Sequence, residues 1–178
     1  SVVHLLGYGF SLDNPKLTDA LTELHPNRIA PASAYANQKR LSAKEAVSLI
    51  HQAGGIVIMG HPLKSIPDKE KLINIIANLK QYGLDGLETG RPDDSALDTT
   101  FIREEAQKHN LILSAGTDFH FSEHDIASRP GLAIPREEWE ILRNSIITAS
   151  ERFSGAAGKE EPIPASGKSV AGKNSRSY

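Results

Sequence analysis

Apolar and polar positions alternate from the start of the chain. Val2, His4, Leu6 and Tyr8 fall on one side of an extended segment and Val3 and Leu5 on the other, which predicts a strand over Ser1–Gly9. Asn14-Pro15 then supplies a cap and a first-turn proline for a short helix ending near Leu24. The stretch from His25 to Arg40, broken by Pro26 and Pro31, reads as a loop. Ser42-Ala43-Lys44-Glu45 has the spacing of a capping box, and Gly54-Gly55 closes the helix it opens.

A regular alternation follows. Ile56–Met59 is a continuous apolar run, Asp68–Tyr82 an amphipathic helix stopped by Gly83, and Gly86–Thr89 a short strand. Asp94 to about Asn110 reads as helix, Leu111–Ala115 as strand, and Pro135–Phe153 as a helix with Trp139, Leu142, Ile146, Ala149 and Phe153 spaced three and four apart. Strands that are apolar on both faces, separated by helices, predict an α/β protein with a parallel sheet covered by helices. From Ser154 to Tyr178 large apolar side chains nearly vanish, so we expect a domain over 1–153 and a disordered low-complexity tail over 154–178.

Composition narrows the chemistry. The 178 residues include no cysteine, so a disulfide framework and a thiolate metal site are both excluded, and any metal must be held by histidines and carboxylates. A reducing, cytoplasmic setting fits that usage. The 20 Lys and Arg against 22 Asp and Glu give no strong patch for nucleic acid, and no apolar run approaches the length of about 20 residues that spans a membrane. A chain whose first residues already form a strand leads us to expect further sequence upstream, because chain ends are ordinarily polar and frayed.

Ligand-type side chains sit where the apolar strands stop. Ile56–Gly60 runs into His61-Pro62, and Leu111–Thr117 into Asp118-Phe119-His120. In parallel α/β sheets the carboxyl ends of the strands are where ligands and catalysts gather. Asp118 and His120, two apart in an extended segment, would point the same way, and Pro62 biases His61 towards extended backbone. His4 is a fourth candidate because it interrupts an apolar strand face. Imidazoles and a carboxylate without thiols suit zinc, manganese or iron better than calcium. Lys64 and Arg91, near the same edge, have the chemistry to receive a phosphate, and Glu88 to orient a ligating imidazole. Structural roles are expected for His25, His51, His109 and His124.

Four segments in this order resemble the later motifs of the polymerase and histidinol phosphatase (PHP) superfamily, and among its members the TrpH-like metal-dependent phosphoesterases. They are Val3-His4-Leu5-Leu6-Gly7-Tyr8, Ala53–Pro62, Gly83–Glu88 and Gly116-Thr117-Asp118-Phe119-His120. The resemblance, over roughly residues 1–150, implies the C-terminal part of a distorted (β/α)7 barrel with parallel strands and covering helices. It implies up to three divalent metals (Mn, Zn or Fe), with His4 and His61 as ligands of one, Asp118 of a second and His120 of a third. It further implies hydrolysis of phosphate esters, from nucleoside phosphates and oligonucleotide ends to small phosphomonoesters, by metal-activated water with no side-chain nucleophile. Lys64 falls where relatives often carry a phosphate-contacting Arg.

The opening strands and the His-x-His motif of that family have no counterpart in this chain. The alternative expectation is therefore a catalytically incomplete metal-binding or regulatory module that needs upstream sequence or a partner chain. A third reading, an amidohydrolase-like barrel acting on C–N bonds, is disfavoured because no lysine is set to bridge two metals.

Overall fold

The computed structural model describes residues 2–24, 40–118 and 132–157. His120, the loop holding His25, the segment holding His124, and 158–178 of the expected tail lie outside the described residues.

The element order is β1 (His4–Tyr8), α1 (Pro15–Leu24), α2 (Ala43–Gln52), β2 (Ile56–Gly60), α3 (Pro62–Ser65), α4 (Lys69–Tyr82), β3 (Gly86–Glu88), α5 (Ala96–Lys108), β4 (Ile112–Ser114) and α6 (Arg136–Ala157). Local chemistry sets most boundaries. The Ser42 hydroxyl accepts the Glu45 amide at 3.2 Å while the Glu45 carboxylate accepts the Ser42 amide at 2.9 Å, the reciprocal capping expected for α2. Asp68 caps α4, and Gly83 ends it at φ 105°, a left-handed turn that a side chain would strain.

Two boundaries differ from expectation. Helix α5 starts at Ala96 because the Ser95 hydroxyl caps it, while Asp94 accepts the Arg91 amide instead. Helix α6 continues to Ala157, four residues into the segment expected to be disordered tail. Phe153 is held against Gly54, and no proline interrupts the residues that follow it, so the helix propagates.

The strands form one sheet in the order β1-β2-β3-β4. β2, β3 and β4 are parallel as expected, with Ile58 beside Gly86 and Gly86 beside Ile112. β1 is not: it pairs antiparallel with β2, His4 opposite Gly60 and Tyr8 opposite Ile56. This corrects the all-parallel expectation and has a consequence for the site. Reversing β1 brings its first residue, rather than its last, to the carboxyl end of β2.

Among the described residues the sheet is open, and helices cover both of its faces. Val57, Met59 and Leu87 pack on one side with Val47 of α2, Leu72, Ile76 and Leu79 of α4, and Ile102 and Ala106 of α5. Ile56 and Ile58, with Leu6, Tyr8 and Ile112, pack on the other with Leu142, Ile146 and Ala149 of α6. Every residue of β2 is buried, which is why its sequence is an unbroken apolar run. Among the described residues α6 thus covers the sheet face opposite α2, α4 and α5.

Candidate functional site

His4 and His61 meet at the carboxyl end of β2. Nδ1 of His4 lies 2.9 Å from Nε2 of His61, and the rings stand edge to face with centroids 4.6 Å apart. The contact joins residues 57 apart in sequence, and the antiparallel register that sets His4 opposite Gly60 makes it. Asp118 arrives from beyond β4, with Oδ1 3.9 Å from His61 Nε2.

Neither His61 nor Asp118 is extended, contrary to the expectation drawn from Pro62 and from the two-residue spacing to His120. His61 has φ 30° and ψ 64°, and Asp118 has φ 53°, both left-handed. The structure holds His61 in that unfavourable region on two sides. Its backbone amide donates to Glu88 Oε2 at 2.8 Å, and its Nδ1 lies 3.0 Å from Ser65 Oγ. Glu88 therefore orients the backbone of His61 rather than its imidazole, which corrects the expected role. The buried Glu88 carboxylate also explains Gly116, where an added Cβ would meet Glu88 Oε1.

Ser65 is the site residue that sequence reasoning missed. Its signal was present: it stands four residues after His61, on the single helical turn that Pro62 starts, so its hydroxyl returns to the imidazole.

Both expected phosphate-binding side chains reach the same carboxylate. Lys64 Nζ lies 2.5 Å from Asp118 Oδ2, and Arg91 Nη2 lies 3.7 Å from the same atom and 3.5 Å from Asp93 Oδ2. They differ in solvation, since the Lys64 side chain is 56% exposed and that of Arg91 only 9%. Arg91 Nε is buried and has no hydrogen-bond partner among the described residues.

Burial, then the neighbouring His61, lower the pKa of His4; Lys64 and Arg40 add to the fall, and Asp118 opposes it. The fall favours the neutral form of the ring, which keeps a lone pair. Under the site, burial raises the pKa of Tyr8 and the Glu88 charge adds to the rise, while the facing Ser114 hydroxyl works against it.

The donor types fit a divalent cation. Metal–imidazole bonds of about 2.0–2.1 Å in tetrahedral geometry separate two nitrogens by about 3.3 Å, so the His4 and His61 nitrogens need part only slightly. Among the described residues no group of three His, Asp or Glu side chains is already closed into a metal shell. Asp118 is instead turned towards the two cations. His120 lies outside the described residues.

The remaining histidines in view contact carboxylates away from this cluster. His51 Nε2 lies 2.7 Å from Asp85 Oδ2, which also accepts the Val57 amide, tying α2 to the start of β2. His109 lies 3.8 Å from Glu105 on its own helix. No helix among the described residues is long and apolar enough to cross a membrane.

Two histidines, a carboxylate and two cations thus gather at the carboxyl ends of the strands of a mixed sheet. No family model matches the chain. It is 30% identical over 89 residues to the 5'-3' exoribonuclease of Haemophilus influenzae, a stretch that is 50% of this chain and 32% of that one. It is 28% identical over 86 residues to the 3',5'-nucleoside bisphosphate phosphatase of Chromobacterium violaceum, covering 48% of this chain and 30% of that one.

The chain thus spans about a third of the length of the curated relatives it matches. Over that stretch it is similar to enzymes named for cleaving phosphate esters, in line with the resemblance of its motifs to the PHP superfamily. A solved structure of an amidohydrolase from Chromobacterium violaceum, with bound sulfate and no metal, aligns with a TM-score of 0.51 at 22% identity, over 71% of this chain and 44% of that one. At that identity the likeness concerns the fold alone.

Proposed function

We propose that this chain carries the carboxyl-terminal part of a metal-dependent phosphoesterase site that hydrolyses phosphate esters. The observation that carries the reading is Arg91. Its guanidinium is almost wholly buried beside Asp118, and its Nε–H has no hydrogen-bond partner among the described residues. A buried, unmet donor on a fixed charge costs free energy unless an acceptor completes it, and a phosphoryl oxygen is the acceptor that an Nε–H and Nη2–H edge fits in bidentate fashion.

His4, His61 and Asp118, with His120, would hold divalent metal, of which Mn, Zn and Fe suit the donors. When bound, such a cation supplies Lewis acidity and lowers the pKa of a coordinated water. The chain's own residues do the rest. His4, whose neutral form the surroundings favour, offers its ring nitrogen. Ser65 fixes the imidazole of His61 by its Nδ1, and Glu88 fixes the backbone beneath it. Lys64 and Arg91 draw the phosphoryl oxygens towards Asp118 and offset the negative charge that builds during attack. No side-chain nucleophile is required.

The reading is tested by loading the protein with Mn or Zn and following release of p-nitrophenol from p-nitrophenyl phosphate. Metal-dependent turnover that is lost in His61→Ala and in Asp118→Asn is the expected result. Stoichiometric metal binding without turnover would instead support the second reading, a metal-binding module completed by upstream sequence or a partner chain.

A further inference from the structure

A cavity of about 910 Å³ lies at the other end of the sheet, between the amino ends of β2 and β3 and one face of α6. Gly54 and Gly55 lead into β2 there, and Asp85 stands one residue before β3. The five residues of β2 separate this cleft from His61 by about 15 Å, and none of His4, His61, Lys64, Arg91 or Asp118 lines it. On the α6 wall, Ile141, Asn144, Thr148 and Arg152 recur every three or four residues and so share a face, and Phe153 closes the wall against Gly54. The side chains of Arg152, Asn144 and Thr148 make no ion pair or hydrogen bond among the described residues.

The sheet wall carries the opposite charge. Asp85 Oδ2 is taken by His51 Nε2 and by the Val57 amide, both at 2.7 Å, whereas Oδ1 accepts no hydrogen bond among the described residues. His51 offsets the carboxylate charge only when it is protonated. Helix α2 reaches Asp85 through His51 in its last turn, and α4 ends at Tyr82, three residues before it; the carbonyl ends of both helices carry partial negative charge. A cation is therefore favoured at Asp85 and an anion at Arg152. The two side chains line one cavity without pairing with each other.

We infer that this cleft is a binding site for a small zwitterion, an α-amino acid with an apolar side chain, its carboxylate on Arg152 and its ammonium on Asp85 Oδ1. A simple anion would face the Asp85 carboxylate and a simple cation the Arg152 guanidinium, so each alone meets one repulsive wall. A dipolar ligand satisfies both walls. The guanidinium takes a carboxylate in bidentate fashion, and Asn144 and Thr148 add hydrogen-bond donors beside it. Ile56, Ile141, Ala149 and Phe153 supply apolar surface for the ligand's side chain, and the volume falls in the range of small-molecule sites. Such a site is separate from phosphate-ester hydrolysis at His61 and does not depend on it.

Calorimetric titration of the full chain with three probes tests the site: L-leucine, isocaproate, which lacks the amine, and isoamylamine, which lacks the carboxylate. L-leucine should bind saturably, and each analogue about tenfold more weakly or worse. Arg152→Gln should weaken L-leucine binding by about tenfold, and Arg152→Lys, which keeps the charge without the fork, by less. Arg152 is exposed, so neither replacement removes a core residue, and circular dichroism checks that both variants fold. The Val57 amide, which donates to Asp85, should shift its NMR resonance as L-leucine binds.

Isocaproate binding as tightly as L-leucine would remove the ammonium contact and overturn the zwitterion site. Isoamylamine binding as tightly would remove the carboxylate contact and do the same. No saturable binding of L-leucine, an affinity unmoved in Arg152→Gln, or a Val57 resonance that stays still while L-leucine binds would also overturn it.

Discussion

Lys64 Nζ sits 2.5 Å from Asp118 Oδ2, across 54 residues of sequence, so that among the described residues a lysine is the nearest cation to that carboxylate. The ammonium and a divalent cation compete for the same oxygens. A metal bound at Asp118 would release Lys64 towards the phosphate of an incoming ester.

Replacing Lys64 by Met should therefore act in opposite directions on two ligands. Mn affinity, measured by calorimetry, should increase severalfold, because an exposed ion pair of about 0.2–1 kcal/mol no longer has to be broken. The KM for a phosphate ester should rise in the same variant. Unchanged metal affinity would show that Lys64 does not guard Asp118.

Ser65→Ala removes the hydroxyl that holds the Nδ1 side of the His61 ring at 3.0 Å. Groups that orient a ligating imidazole typically govern affinity by about 10–100-fold, so metal affinity should drop by about tenfold or more with little change in melting temperature. Ser65→Thr, which keeps a hydroxyl, should recover much of the loss. A melting temperature that falls with affinity would assign Ser65 to the fold instead.

Gly116→Ala places a methyl group against Glu88 Oε1, a buried atom with no room to retreat freely. Overpacking of this kind costs about 1–3 kcal/mol. Its effect should reach beyond stability, because Glu88 holds the His61 amide at 2.8 Å and the His61 backbone is left-handed. Chemical denaturation should show the stability loss, and metal titration a parallel weakening. If stability falls while metal affinity is retained, Glu88 does not control His61.

The depressed pKa of His4 sets a pH dependence in the metal-free protein. The folded state favours the neutral ring more than the unfolded chain does, so the unfolded chain binds more protons at mildly acidic pH. The contribution is fully present above the unfolded value of about 6.5 and is lost as pH falls from there through the folded value. Thermal melts between pH 7.5 and 5 should show His4→Gln losing less stability than the wild type. Identical slopes would remove His4 from the account.

The elements themselves were readable one by one. Asn14-Pro15, the Ser42–Glu45 box, Asp68 and Gly83 act through hydrogen bonds and dihedral preferences within a few residues, and the helices they bound appear where those residues place them. The apolar run of β2 announced a strand buried on both faces for the same reason: burial is written residue by residue. A grouping of candidate side chains was also legible, since His4, His61, Asp118, Lys64 and Arg91 are residues the structure gathers.

What the sequence did not contain is direction and contact at long range. Leu5 and Leu6 face opposite helix layers whichever way β1 runs, so the local pattern is silent on its direction, and only the antiparallel choice brings His4 to His61. The left-handed turns at His61 and Asp118 overrode the local bias towards extended backbone, because Glu88 and Ser65 satisfy His61 only in that conformation. The chain by itself determined its helices, its buried strands and its stock of ligands. Tertiary packing decided which ligand faces which, because strand direction and strained backbone are settled by contacts between residues tens of positions apart.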